Sequence, residues 1–404
     1  MKRRVILALV VGLLVGIPTA AVASAHGERS QEAFLREDTV AFTDVTFSTD
    51  TVKQGEPLTI TGTARILDTW PKTLAEPTTG FVGVTAPGPV MLMKERTVNG
   101  TNTPGSIFTK KGGVYQFNMT LVGRQPGRWH VHPVFAVEGA GTLIGPGQWI
   151  TVEQGAGEFN NPLTLNNGQT VNLENYMVGP LVVWQWLGLL VGLGWLLYWI
   201  VPKPTVTRLA VTSRIPLNTD GQDVGLITKK DHRAMTLFAI GTAALLLGGW
   251  VYQQTAFPVK IPQQVVRFEP PALPEPPHFA RATASGATYD PATRALSMDV
   301  QVTNDGDKPM ALNRFIIGNL AFDNQIVATA GTDHVMTVDS TQPIQPGETR
   351  LLKLTLRDQA LEDERLIPLD QPMLAIGGLL AFEDAGGVRN LVTVQSDLVP
   401  EFTS

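Results

Sequence analysis

The stretch MVGPLVVWQWLGLLVGLGWLLYWIV, residues 177–201, decides the architecture. It carries no Asp, Glu, Lys or Arg, and it exceeds the roughly 20 residues a helix needs to cross the hydrocarbon of a bilayer. Tyr198 and several Trp residues stand as interfacial anchors, and Gln185 is its one strongly polar interruption. A second apolar run extends from about Ala234 to Tyr252. One such run could be the core helix of a soluble domain, whereas two argue for membrane spans. Between them lie Lys203, Arg208, Arg214, Lys229, Lys230 and Arg233 against Asp220, Asp223 and Asp231. An excess of cations in a short loop marks the cytoplasmic side, which puts the chain before and after the two helices on the other side.

The N-terminus agrees with that topology. Lys2-Arg3-Arg4, an apolar run from Val5 to about Ile17, and Ala23-Ser24-Ala25 before His26 match the three regions of a secretory signal peptide. A retained anchor is the alternative. Cleavage after Ala25 would make His26 the mature N-terminus. The expected organisation is a signal peptide (1–25), an N-terminal domain (26–174), a transmembrane helix (175–201), a cytoplasmic loop (202–233), a second transmembrane helix (234–255), a Pro-rich connector (256–278) and a C-terminal domain (279–404).

Both outer segments read as β-structure. Leu58-Thr59-Ile60-Thr61 and Val114-Tyr115-Gln116-Phe117 alternate with period two, and turn clusters such as Lys111-Gly112-Gly113 and Gln125-Pro126-Gly127 punctuate the segment. No amphipathic helix is evident in it, so a sandwich or small barrel is expected. Ser297 to Val302 is a clean alternating strand of the second domain, and Asn304-Asp305-Gly306-Asp307 is its turn. The two domains share no residue-level repeat, and a common architecture is an expectation about fold alone.

Composition narrows the chemistry. The 404 residues are 43% hydrophobic and 17% charged with a net charge of −5, which suits a folded protein with lipid-buried sequence and gives no basic surface for nucleic acid. The absence of cysteine excludes disulfides, zinc–thiolate sites, iron–sulfur clusters and the thiolate that blue-copper and binuclear-copper electron carriers require. No nucleophile elbow, phosphate loop or dinucleotide fingerprint is present.

Of six histidines, His130 and His132 stand out. In a strand, residues two apart point to one face, so both imidazoles can reach one ion. Two histidines so placed are also compatible with a purely structural role. His26 adds weight, because a mature N-terminal histidine offers a ring nitrogen and an α-amine that deprotonates near neutral pH. Three imidazoles and an amine without sulfur favour copper, with zinc the rival ion. Glu28 is close enough in sequence to His26 to orient its ring, or else is a solvated charge. His232, His278 and His334 do not converge on this group.

These residues also carry a resemblance. His26-Gly27-Glu28-Arg29-Ser30-Gln31, Trp70-Pro71, Ala86-Pro87-Gly88-Pro89-Val90, Pro126 to His132, Ile144 to Val152, Val302 to Gly306 and Leu374 to Leu380 resemble, in order, the B subunit of the particulate methane and ammonia monooxygenase family. The likeness covers the whole chain. It implies a mainly β protein of two cupredoxin-like β-sandwich domains separated by two transmembrane helices. It also implies A and C membrane subunits as partners in a trimer of heterotrimers, and copper held by His26, through ring and amine, with His130 and His132. The activity implied is oxidation of ammonia or small hydrocarbons with O2, with the site of oxidation in this subunit or in a membrane partner. Two further histidines that methane-oxidising relatives often carry for a second copper align with Ala41 and Arg65, so that site should be missing. This weakens a methane assignment and favours a short-chain hydrocarbon. An extracytoplasmic copper carrier or chaperone, and a scaffold subunit without its own catalysis, are the competing readings.

Overall fold

The computed structural model describes residues 31–201, 228–258, 266–324, 335–340, 342–369 and 375–401. The segment read as a signal peptide, His26, Glu28, His334 and residues 202–227 of the basic loop lie outside the described residues. The chain divides into two units, residues 1–157 with 264–404, and residues 158–263.

The first unit opens on a short helix, α1 (Ala33–Asp38), followed by β1 (Val40–Phe47), β2 (Thr51–Lys53), β3 (Pro57–Ile66), β4 (Thr79–Thr85), β5 (Met91–Val98), β6 (Thr101–Asn102), β7 (Ser106–Phe108), β8 (Val114–Gly123), β9 (Gly127–Val137), β10 (Gly141–Ile144) and β11 (Gln148–Glu153). One sheet has the order β1-β3-β8-β5-β6; a second runs β7-β4-β9-β11-β2, with β10 also beside β9. The period-two pattern decides which side chains turn inward. Leu58, Ile60, Ala64 and Ile66 of β3 and Phe117, Met119 and Leu121 of β8 meet Val82, Val131, Phe135 and Ile150 of the facing sheet in one buried core. Burying each large side chain there contributes about 1.5–3 kcal/mol.

In the second unit, a hairpin of β12 (Pro162–Thr164) and β13 (Thr170–Asn172) precedes α2 (Val178–Ile200) and α3 (Lys229–Ala256), which among the described residues are the two helices long and apolar enough to cross a bilayer. Trp195 stacks on Phe238 at 4.5 Å, and the Tyr198 hydroxyl donates to Asp231 at 2.7 Å. α3 begins at Lys229, ahead of the apolar run that starts at Ala234. Thr228 and Asp231 form a capping box that satisfies the first amides and draws the polar residues 229–233 into the helix.

Among the described residues of the Pro-rich connector, β14 (Arg267–Phe268) adds in parallel to the β7 edge of the N-terminal domain. The C-terminal domain comprises β15 (Ala280–Asp290), β16 (Ala295–Asn304), β17 (Met310–Ile317), β18 (Leu320–Asp323), β19 (Val335–Val338), β20 (Thr349–Arg357), α4 (Ala360–Asp363), β21 (Ala375–Asp384) and β22 (Arg389–Pro400). Its sheet, ordered β18-β17-β21-β22-β15-β16-β20-β19, curls until Asn324 next to β18 bridges Met336 of β19, and encloses Tyr289, Phe315, Phe322 and Phe382. Strand order differs between the two β domains, and the expected mainly β fold, with two apolar helices between its β domains, is what the chain adopts.

The helix α1 was not expected from the sequence. It has no apolar period of its own, yet Arg36, Glu37 and Asp38 are all buried. They reach into the C-terminal domain: the Arg36 guanidinium donates to the Glu364 carbonyl, Glu37 accepts from the Gly377 amide at 3.3 Å, and Asp38 accepts from the Gln395 amide group at 2.8 Å. Beside them Ala41 and Leu67 pack on Ile316 and Leu379.

Candidate metal centre

The two histidines lie on β9, whose alternate residues Val131 and Phe135 are anchored in the core with no exposure. Pinning those residues inward turns His130 and His132 together to the opposite face. His130 Nδ1 and His132 Nε2 are 2.8 Å apart, with the rings edge to face at 83°. Nitrogens bound to one ion at about 2.0–2.1 Å each can be at most about 4.2 Å apart, so the pair fits a shared metal.

The bed under His132 comes from a break in strand pairing. Along one side of β9, Ile144 of β10 pairs with Val134 and Gln148 of β11 pairs with Val131, leaving Gly145-Pro146-Gly147 between them. The Gly145 amide donates to the Pro133 carbonyl at 2.8 Å. The Gly145 carbonyl lies 2.9 Å from His132 Nδ1. A carbonyl only accepts, so Nδ1 carries the proton and the lone pair of the neutral ring sits on Nε2, facing His130. Gly147 floors the site, because a Cβ there would collide with the His132 ring. His132 is buried at 4% exposure.

His130 is held differently. Its direct cross-strand partner is Trp149, whose indole stacks on the imidazole at 4.9 Å and 30°. The Arg128 guanidinium lies 4.9 Å from the same indole. Gln31 is fastened close by, with its side chain donating to the Thr142 carbonyl and accepting from the Ile144 amide at 3.2 Å.

The remaining sequence candidates separate clearly. His232 and His278 are exposed and lie away from β9 in the sequence, in the first turn of α3 and in the connector. Among the described residues no third His, Cys, Asp or Glu joins His130 and His132. Ala41 and Arg65 are direct cross-strand partners on β1 and β3. Ala41 has no donor atom, and burial lowers the pKa of the Arg65 guanidinium against the opposing influence of Asp68 without freeing a lone pair for a metal. Sequence reasoning assigned no role to Gly145, Gly147 or Trp149. The Gly-Pro-Gly run signals a turn, but only strand register puts it under His132.

Comparison with known proteins adds a family. The chain is 34% identical over 408 residues to the protein named particulate methane monooxygenase alpha subunit of Methylococcus capsulatus (strain ATCC 33009 / NCIMB 11132 / Bath), covering 97% of each. Among solved structures, the cupredoxin domain of amoB from Nitrosocaldus yellowstonii is 18% identical and covers 33% of this chain and 99% of that one, with a TM-score of 0.25. The family model for monooxygenase B-subunit proteins matches residues 27–402, and the chain belongs to that family.

Proposed function

We propose that this chain is the copper-holding B subunit of a membrane-bound monooxygenase that oxidises ammonia or small hydrocarbons with O2, short-chain hydrocarbons being favoured. The observation that carries the reading is the 2.8 Å approach of His130 Nδ1 to His132 Nε2, with His132 Nδ1 committed to the Gly145 carbonyl. His130 and His132 would hold the ion, with His26 as third residue through its ring and α-amine. Gln31, pinned beside Ile144, is five residues from His26, a reach of at most about 18 Å of extended chain. Glu28 would orient the His26 ring. Copper, when bound, supplies one-electron redox chemistry toward oxygen. The protein's part is to hold both imidazoles on a rigid strand, with the buried His132 ring oriented by its Nδ1 proton on the Gly145 carbonyl.

In this reading residues 1–25 are removed on export, the loop 202–233 is cytoplasmic and both β domains are extracytoplasmic. α2 and α3 join the A and C membrane subunits in a trimer of heterotrimers, and the oxidation is carried out by the assembly. The Ala41–Arg65 pair supports a single copper position in this chain and a substrate other than methane.

The test is copper stoichiometry of the detergent-purified complex, with N-terminal sequencing, for wild type and His132→Ala. The expected result is a mature chain starting at His26 and loss of about one copper per protomer in the variant. Unchanged copper, or a different N-terminus, overturns the site and leaves a scaffold role. A chain that purifies alone with its copper is a carrier.

A further inference from the structure

We infer that Trp149 is the positioning residue for His130: its indole fixes the plane of that imidazole so that Nδ1 points at His132 Nε2, and it screens the pair from solvent. The inference rests on the proposed metal site and goes beyond it, because it concerns what holds a half-exposed ligand still. The two imidazoles are restrained unequally. His132 is buried, bonded through Nδ1 to Gly145 and floored by Gly147. His130 is only partly covered, and its ring meets the edge of His132 at 4.2 Å and the face of Trp149 at 4.9 Å.

The register makes Trp149 suited to this. As the direct cross-strand partner of His130 it starts with its Cβ about 4.5–5.5 Å from that of the histidine, the separation at which flat rings stack. Its strand is held by Ile150 and Val152 in the core, so the indole is carried on a rigid element. Arg128, two residues before His130 and on the same face of β9, lies within cation–π range of the same indole. Trp149 itself is 46% exposed. A large apolar side chain that exposed contributes little to the core, and its flat face is spent on His130 and Arg128.

The experiment uses the detergent-purified complex with wild type, Trp149→Phe, Trp149→Leu and His132→Ala. Copper affinity is measured by competition with a chelator, and the Cu(II) hyperfine splitting by electron paramagnetic resonance. Trp149→Phe keeps a flat ring and is expected to retain the wild-type signal and stoichiometry. Trp149→Leu keeps bulk but no plane; it should weaken copper binding by about 10–100-fold, as loss of a group supporting a metal ligand does, and shift the hyperfine splitting. If Trp149→Leu matches wild type in both readouts while His132→Ala loses copper, the site stands and Trp149 has no positioning role. If His132→Ala keeps its copper, the metal-site reading fails and this inference with it.

Discussion

At the scale of single residues, the site depends on groups that lack side chains as much as on those that bear them. Gly147 lies where any Cβ would enter the His132 ring, so Gly147→Ala must swing the imidazole away from His130. The expected outcome is loss of about one copper per protomer with the complex still assembled, checked by metal analysis after size-exclusion chromatography. A second residue-scale prediction concerns Arg96, which is buried and donates to the carbonyls of Val82, Thr103 and Gly105 while lying 4.0 Å from the Phe81 ring. Arg96→Met keeps the stem but leaves three interior carbonyls without that donor. It should lower stability by about 2–4 kcal/mol, read as a fall in the Tm of the purified complex. His130 and His132 were legible in the sequence because two-residue spacing on a strand has one geometric meaning. Gly145, Gly147 and Trp149 were not, since their role exists only once β10 and β11 are laid along β9 in register.

At the scale of elements, α1 is the informative one. Three consecutive charged residues read as solvated sequence, yet this turn of helix is buried against β21 and β22. Burial raises the pKa of Glu37, with neighbouring Asp38 adding to the effect and the Gly377 amide and Arg36 opposing it. Burial also pushes Asp38 up to about 6, opposed by its hydrogen bond from Gln395. Both carboxyls have folded pKa values above their unfolded ones. The Asp38 contribution is therefore fully present below its unfolded value of 3.8 and is lost as pH rises through about 6, and Glu37 acts in the same direction, so the α1 contact is firmest in acid. For Asp38 the change is on the order of 3 kcal/mol. Once the base-catalysed intrinsic rate is divided out, amide protection in the 375–384 segment should be lower at pH 7.5 than at pH 5, and Asp38→Asn should flatten that difference; an unchanged pH dependence of protection in the variant would assign it elsewhere. Gly377→Ala tests the same contact sterically, because its Cβ would overlap the Asp38 carboxylate. Faster exchange in α1 and β21 at every pH is expected.

At the scale of the whole molecule, the prediction is association: extraction in mild detergent should recover this chain with hydrophobic partner subunits, and stripping those partners should expose α2 and α3 and cause aggregation. A stable, monodisperse lone chain would contradict the proposed assembly. The sequence by itself determined the elements whose signal is local. Apolar runs of bilayer length gave two helices, period-two alternation gave strands, missing cysteine removed thiolate chemistry, and the H-x-H pair put two imidazoles on one face. Tertiary structure alone decided what depends on residues distant in the chain. The register of β9 against β10 and β11 puts Gly145 and Gly147 under His132 and Trp149 over His130. The packing of α1 on β21 and β22 brings Gly377 and Gln395 to Glu37 and Asp38, more than 300 positions away. The physical reason is the range of the forces. Dihedral preference and hydrophobic period act within a few residues and can be read along the chain, whereas a hydrogen bond or ring contact between strands exists only after packing has chosen which strands are neighbours.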